Sequence, residues 1–542
     1  MKKIGKFISE NTDKIIYIAL SIMVVNLIFY IFVGSKVIMN SDSSFIIDYS
    51  IEQIETNSLF PTTWIHSNDF WMYSLIPIVT PFVKMGVDLF TSRQIAVFVQ
   101  TVLFFVLLYD FYKRCFNDKK GLIIMLLIFL SGISGQFMSE MYGDATYGTI
   151  VFYMLLELCL FIKYIKSDYK KTKYLVFFGI ILALLTACSM RFPIYIGAPL
   201  ICCILYFCYS DGIKKKHVRT FIVLCGSILV GFLLNKFMQS ELIYVNNFEL
   251  SSVVSEKAEF TKNLGKTVFD YLFLCGATGK SIFSLTLHLD NDLVTNPSSP
   301  LVVLQFIKII YAIITIVMPI KLFKKFKVMK NEEKTLLIFV SSFTFIMAFF
   351  LVIGSLSRWH RYIFTVVFCL NLLYPMFYKY FFESKKNNRV VFKLGLTLIV
   401  ITSFLFSVNS YINIKETRLR RNGYQYMAEY FVDNELYLGY TIQNMESNLF
   451  NTLTNGKMRV LRLNDDGNYP EEWLASTRWF KTDYEGKVFF YKLDDYRDVD
   501  IQKLAIEERK IGNFKIYIFE NNDVVLDYLF NYKNIEVEDE KE

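Results

Sequence analysis

Long apolar segments in this chain are separated by loops that are strongly basic at every second turn and poor in Lys and Arg at the others. That alternation constrains the fold more than any other feature of the sequence. A polytopic membrane protein needs it, because Lys- and Arg-rich loops stay on the cytoplasmic side. The composition agrees: mean hydropathy is +0.36, 54% of residues are hydrophobic and 17% are aromatic.

A bilayer-spanning helix takes about 20 apolar residues. On that measure the expected spans are 15–35, 93–111, 121–138, 147–164, 173–190, 192–209, 218–238, 300–320, 334–354, 361–379 and 391–410, about eleven in all. The first follows the basic start MKKIGK, exceeds a signal-peptide core and lacks a small-residue cleavage site after it, so it reads as a retained helix. A cytoplasmic N-terminus then puts five basic clusters inside: Lys113 to Lys120, Lys163 to Lys173, Lys214 to Arg219, Lys321 to Lys334 and Lys379 to Lys393. The outer connections, 36–92, 139–146, 189–191, 239–299 and 355–360, carry few cations for their length. The apolar stretch Phe70 to Phe90 would invert this parity if it crossed. With Pro77, Pro81 and Lys84 interrupting it, it reads as interfacial or re-entrant.

From Tyr411 onward no long apolar run remains, and 25 acidic residues face 18 basic ones although the whole chain is +8. The pattern predicts a helix (417–432), strand (436–442), helix (444–455), strand (458–463), a short helix near EEWLAS, strands at 487–493 and 514–520, and a final short helix. Strands alternating with helices imply a small, mostly parallel α/β sheet. The expected organisation is a membrane domain over 1–410, with outer loops 36–92 and 239–299, and an extracytoplasmic α/β domain over 411–542.

Several chemistries are disfavoured. The nine cysteines lie mostly within or beside apolar or inner segments and the C-terminal domain has none, which argues against a disulfide framework. There is no Gly-rich phosphate loop, HExxH or CxxC, and His66, His217, His288 and His360 lack metal-ligand spacing. Nothing calls for a nucleic-acid partner.

The polar residues that carry chemistry gather in the outer loops. In NSDSSFIIDYSIEQIE, Asp42 opens a helical pattern with Ile47, Ile51 and Ile54 on one face and Asp48, Glu52 and Glu55 on another. Asp48 thus reads as part of a solvated stripe, and Asp42 as either a helix cap or a catalytic carboxylate. The loop SEMYGDATYG offers Glu140 and Asp144, which suit an acceptor hydroxyl or, with Asp42, a divalent cation; Asp144 also reads as a helix cap. In MRFPIYIGAP, Arg191 either snorkels or grips a lipid phosphate with its planar fork. In SLSRWHRYIF, Arg358, His360, Arg361 and Tyr362 crowd a loop that the positive-inside rule would keep uncharged, which suits a phosphate on a lipid carrier.

This arrangement resembles the bacterial GT-C-fold glycosyltransferases, polytopic enzymes related to protein O-mannosyltransferases and to the aminoarabinose transferase of lipid A. The resemblance covers the topology of about the first 410 residues. It implies transfer of a sugar from a polyprenyl-phosphate donor to a cell-envelope acceptor, whether teichoic acid, surface polysaccharide, lipid or protein, outside the bacterial cytoplasmic membrane. Asp42 matches the first-loop carboxylate, although the acidic doublet of several members is here Asp42-Ser43. Glu140 and Asp144 fall where a second acidic motif is expected, and Arg361-Tyr362 looks like the Arg-Tyr pair opening a late span. Competing classes are a flippase of lipid-linked sugars, which should show an internal repeat with matched midplane breaks, and a polysaccharide polymerase or ligase. Glu157 and Lys308, which interrupt apolar spans, do not occupy corresponding places.

Overall fold

A computed structural model describes residues 12–35, 39, 41–66, 69–242, 260–277, 300–353, 361–412, 414–443, 447–470, 474–481 and 484–529. Among the described residues nine helices are long and apolar enough to cross a membrane, from Lys14–Phe32 to Lys386–Leu405. Two of the expected spans take other forms. Lys119–Leu130 and Gly135–Gly143 meet at 98°, and Thr172–Cys188 is a shorter apolar helix of 17 residues. The expected positions therefore hold, and the count depends on how the bent pair is treated.

The chain divides into two compact units. The first comprises Met1–Ser35, Val97–Leu234 and Glu249–Ile414; the second comprises Lys36–Ala96, Asn235–Phe248 and Lys415–Glu542. The loop after the first span, assigned from sequence to the membrane domain, thus packs with the C-terminal segment.

In the first unit the lipid-sized helices are apolar on nearly every side, as helices with no water-facing stripe must be. Phe104, Phe129, Phe137, Phe364 and Phe368 form a contiguous aromatic core, with Phe137 and Phe364 centroids 4.7 Å apart. Of the expected outer loop 239–299, residues 243–259 and 278–299 lie outside the described residues. Between them, helix Phe260–Leu274 packs on helices Asn331–Ile353 and Arg361–Asn371.

In the second unit, helix Ser41–Glu55 lies against the short helix Ile76–Lys84. At about 1.5 Å per residue, nine residues cannot cross a hydrocarbon core of about 30 Å, so the Phe70–Phe90 stretch does not span. Thr80 Oγ1 bridges the two helices, donating to Gln53 Oε1 at 2.7 Å.

The C-terminal sheet has strands β2 (Leu438–Thr441), β3 (Arg459–Arg462), β5 (Val488–Leu493), β6 (Glu507–Ile511) and β7 (Phe514–Phe519) in the order β3-β2-β5-β7-β6. The first three are parallel, and β7 runs antiparallel to both of its neighbours, β5 and β6. The sheet is thus mixed. Strand β6 was not expected, because its EERKI has little apolar content and forms an exposed edge closed by a tight turn at Gly512, whose φ of +57° suits a hairpin. The EEWLAS segment also differs from expectation. Its described part forms β4 (Ala475–Ser476), which pairs antiparallel with β1 (Trp64–Ile65) from the first loop. Met427 and Phe431 of helix Ile414–Asp433 cover the sheet, Phe431 stacking on Phe489 at 3.8 Å.

Candidate functional site

Three of the sequence motifs meet at Tyr147. This buried residue sits at the start of helix Thr146–Lys166, just after the SEMYGDA turn. Arg191 donates to its hydroxyl at 3.4 Å and lies 5.9 Å from the centre of the Tyr362 ring. The Tyr147 and Tyr362 rings meet edge to face at 6.2 Å. Arg361 lies close enough for its charge to act on the same phenol, as does the Tyr195 side chain. Two guanidinium groups and a phenol converging at helix ends form a donor-rich, cationic set that suits an oxyanion. The sequence reading named Arg191, Arg361 and Tyr362 and passed over Tyr147.

The local backbone explains why the motifs meet. Residues Ser139–Gly143 form a π-helical turn, and Ala145 follows in the left-handed region at φ +59°. A left-handed non-glycine is sparsely populated and needs support from its surroundings. Thr149 supplies it: its Oγ1 lies 2.9 Å from the Ala145 carbonyl and 2.6 Å from Gln100 Oε1, with one proton to give to either. Gly148 is required because a Cβ there would run into the Met141 carbonyl. A second π turn, Pro193–Gly197, begins two residues after Arg191 and carries Tyr195. Such turns often mark functional sites.

Glu140 is buried and its Oε1 accepts from Gln136 Nε2 at 2.9 Å, while half-buried Asp144 donates its backbone N–H to the Ser139 carbonyl at 2.8 Å. Asp144 precedes Ala145, the residue flanking helix Thr146–Lys166, and no side-chain cap bond comes from that flank. Upstream, the bend at Gly132–Ser134 is pinned by three other segments. Lys308 Nζ donates to the Ile133 carbonyl at 2.5 Å and also to Ser403 Oγ, and Ser134 Oγ donates to the Leu274 carbonyl at 2.7 Å.

In the second unit two of the three acids of the stripe on helix Ser41–Glu55 are not solvated, contrary to expectation, while Glu55 at its end is exposed. Asp48 and Glu52 are buried because residues from the C-terminal segment cover them. Asn451 Nδ2 donates to Asp48 Oδ1. Glu52 Oε1 accepts from Ser476 Oγ at 2.8 Å and Thr63 Oγ1 at 2.5 Å, with Arg478 Nε at 3.4 Å. Glu55 pairs with Arg459 at 2.8 Å and Arg478 at 2.5 Å. Burial pushes the Asp48 carboxyl up to about 7, opposed by the Asn451 hydrogen bond and the Arg459 charge. Burial likewise holds His66 down at about 3, with its ring packed between Tyr49 and Phe70.

Asp42 occupies the first turn of helix Ser41–Glu55, inside the helix rather than ahead of it; its side chain lies outside the described residues. Arg358 and His360 also lie outside them. Among the described residues no group of three or more His, Cys, Asp or Glu stands close enough to hold a metal ion.

Apolar spans around an aromatic core, with a bent helix pair and a small mixed sheet near the C-terminus, define a polytopic GT-C-like fold. The chain superposes on the crystal structure of ArnT from Cupriavidus metallidurans bound to undecaprenyl phosphate, with a TM-score of 0.55 over 93% of this chain and 97% of that one. Sequence identity is 10%, so the likeness shows the fold. No family model and no curated protein matches the chain.

Proposed function

We propose that this protein is a glycosyltransferase that moves a sugar from a polyprenyl-phosphate donor to a cell-envelope acceptor on the outer face of the cytoplasmic membrane. The observation that carries the reading is the convergence of Arg191, Arg361 and Tyr362 on Tyr147. It stands in a fold shared with a protein solved with undecaprenyl phosphate.

In this reading the bond from the anomeric carbon to the lipid phosphate breaks as the acceptor oxygen attacks. The acceptor proton passes to a carboxylate, for which Asp42 is the candidate, while the sugar gains oxocarbenium character. Charge grows on the departing phosphate, so Arg191 and Arg361 stabilise the transition state more than the ground state. Glu140 and Asp144 orient the acceptor hydroxyl, and Arg358 and His360 extend the cationic loop. A divalent cation held by Asp42 and Asp144 belongs to the same hypothesis. The orientation that serves it has the N-terminus cytoplasmic and the C-terminal domain outside.

The test is transfer of radiolabelled sugar from a panel of polyprenyl-phosphate sugars to envelope acceptors by purified protein, with Asp42→Asn at matched folding. Loss of transfer with retained lipid binding supports the reading. No transfer from any donor, together with movement of lipid-linked sugar across proteoliposomes, replaces it with the flippase.

A further inference from the structure

The second half of the helix carrying Asp42 is gripped by side chains from more than 400 residues later in the chain. Two of its carboxylates, Asp48 and Glu52, are buried, and each meets a partner from the C-terminal segment: Asn451 for Asp48, and Ser476 and Arg478 for Glu52. Glu55 at its end is forked between Arg459 and Arg478. At the other end, fully buried Arg93 donates Nε to the Ser43 carbonyl at 2.8 Å. The β1–β4 pair and a hydrogen bond from Leu89 N–H to Asn455 Oδ1, at 3.0 Å, tie the same two segments together.

Burying carboxylates in polar contacts is an inefficient way to gain stability, since apolar residues of similar volume do as well or better. Directional contacts do supply register. A one-residue slip of a helix moves it about 1.5 Å and turns it by about 100°. Misplacing a catalytic group by about 1 Å costs on the order of 100-fold in rate.

We propose that Asn451 and Arg478 are positioning residues that set the register of helix Ser41–Glu55, and with it the placement of Asp42 for transfer. The role of the C-terminal domain is then to hold the first-loop helix. This rests on the transferase reading for its catalytic meaning and on the contacts above for its geometry.

The test uses full-length protein and the reciprocal exchange of the Asp48–Asn451 pair. Asn451→Asp alone sets two carboxyls against each other. Asp48→Asn with Asn451→Asp restores the hydrogen bond with its polarity reversed. Rates are counted per molecule able to bind undecaprenyl phosphate, so that misfolded protein does not enter. Asn451→Asp is expected to lower kcat about 10- to 100-fold with the donor KM unchanged, because Arg191, Tyr147 and Arg361 all belong to the first unit and Asn451 to the second. The double variant is expected to recover most of the rate, and Arg478→Gln to lower kcat in the same manner. A single variant with wild-type kcat, or a double variant that fails to recover, overturns the proposal. Hydrogen exchange of amides 43–50 is measured alongside: faster exchange in Asn451→Asp, reversed in the double variant, is expected. Unchanged exchange overturns the grip itself, whereas absence of transfer by wild type overturns the transferase reading and leaves the exchange result to decide the geometry.

Discussion

The buried amine of Lys308 donates to the main-chain carbonyl of Ile133 at 2.5 Å, at a residue whose φ is +52°. A β-branched residue at positive φ is a backbone outlier, held there only by its surroundings. Ser403 Oγ lies 3.2 Å from the Ile133 carbonyl and 2.8 Å from that of Ile399, and its one proton can turn to Ile133, because Ile399 sits within helix Lys386–Ile412 where the main chain serves its carbonyl. Lys308→Met therefore leaves no polar group orphaned, and Met fills a similar volume. The variant is expected to melt within about 1 kcal/mol of wild type, while sugar transfer falls about tenfold as the bend ahead of Glu140 and Asp144 loosens. Thermal unfolding in detergent and transfer rates check the two halves. A large loss of stability would make the amine a folding element instead.

Asp48 and His66 give the second unit two opposing responses to pH. The native state holds the Asp48 proton more tightly than the unfolded chain does, so ionisation costs stability as pH rises from about 4 to about 7 and nothing further above that. Asp48→Asn should gain on wild type across that window, by up to about 4 kcal/mol at 1.36 kcal/mol per unit of pKa. His66 is neutral in the native state and takes a proton in the unfolded chain below about 6.5, so it costs stability as pH falls from there to about 3. His66→Phe should gain on wild type in that direction. Unfolding of each variant from pH 3.5 to 8 separates the two slopes, and parallel curves would show that neither group titrates as described.

The spans and the C-terminal strands β2, β3, β5 and β7 were legible because apolar length and alternation are local signals; β4 and the polar edge β6 were not. The bend at Gly132–Ser134 was not, since the residues that hold it, Lys308, Ser403 and the Leu274 carbonyl, lie far along the chain. Asp48 and Glu52 of the acidic stripe were misread for the same reason, whereas Glu55 is exposed as expected. A helix sequence reports which residues share a face and says nothing of what covers that face, here Asn451, Ser476, Arg459 and Arg478. Arg191 and Arg361 stood out as cations where the charge pattern wanted none. Tyr147 did not, because tyrosine is common at membrane boundaries; its place beside two glycines and an aspartate in GDATYG was the available signal.

Glu157 lies in helix Thr146–Lys166, fully buried, and neither carboxyl oxygen has a hydrogen-bond partner among the described residues. A buried polar group left unsatisfied costs about 1–3 kcal/mol. Glu157→Leu removes that cost at little change in volume and is expected to raise the melting temperature with transfer unaffected. A stable variant with no activity would instead assign the carboxyl a role in the reaction.

The cation cluster makes the most direct prediction about the proposed chemistry. Arg191 contributes both a hydrogen bond to Tyr147 and a cation–π contact with Tyr362, and a lysine ammonium can replace the charge without the planar fork. Hydrogen bonds to charged groups contribute about 1.5–3 kcal/mol, which is roughly a 10- to 100-fold change in rate at 1.36 kcal/mol per decade. Arg361→Ala and Arg191→Ala are each expected to fall in that range. Arg191→Lys should recover only part of the loss. Tyr147→Phe removes one hydroxyl and keeps the ring against Tyr362, so its cost should be smaller, several-fold. If the arginines act on a departing phosphate, the deficit appears in kcat more than in binding of undecaprenyl phosphate, because charge accumulates there only as the bond breaks. Equal losses in kcat/KM and in lipid affinity, with kcat intact, would make the cluster a docking site for the carrier and nothing more.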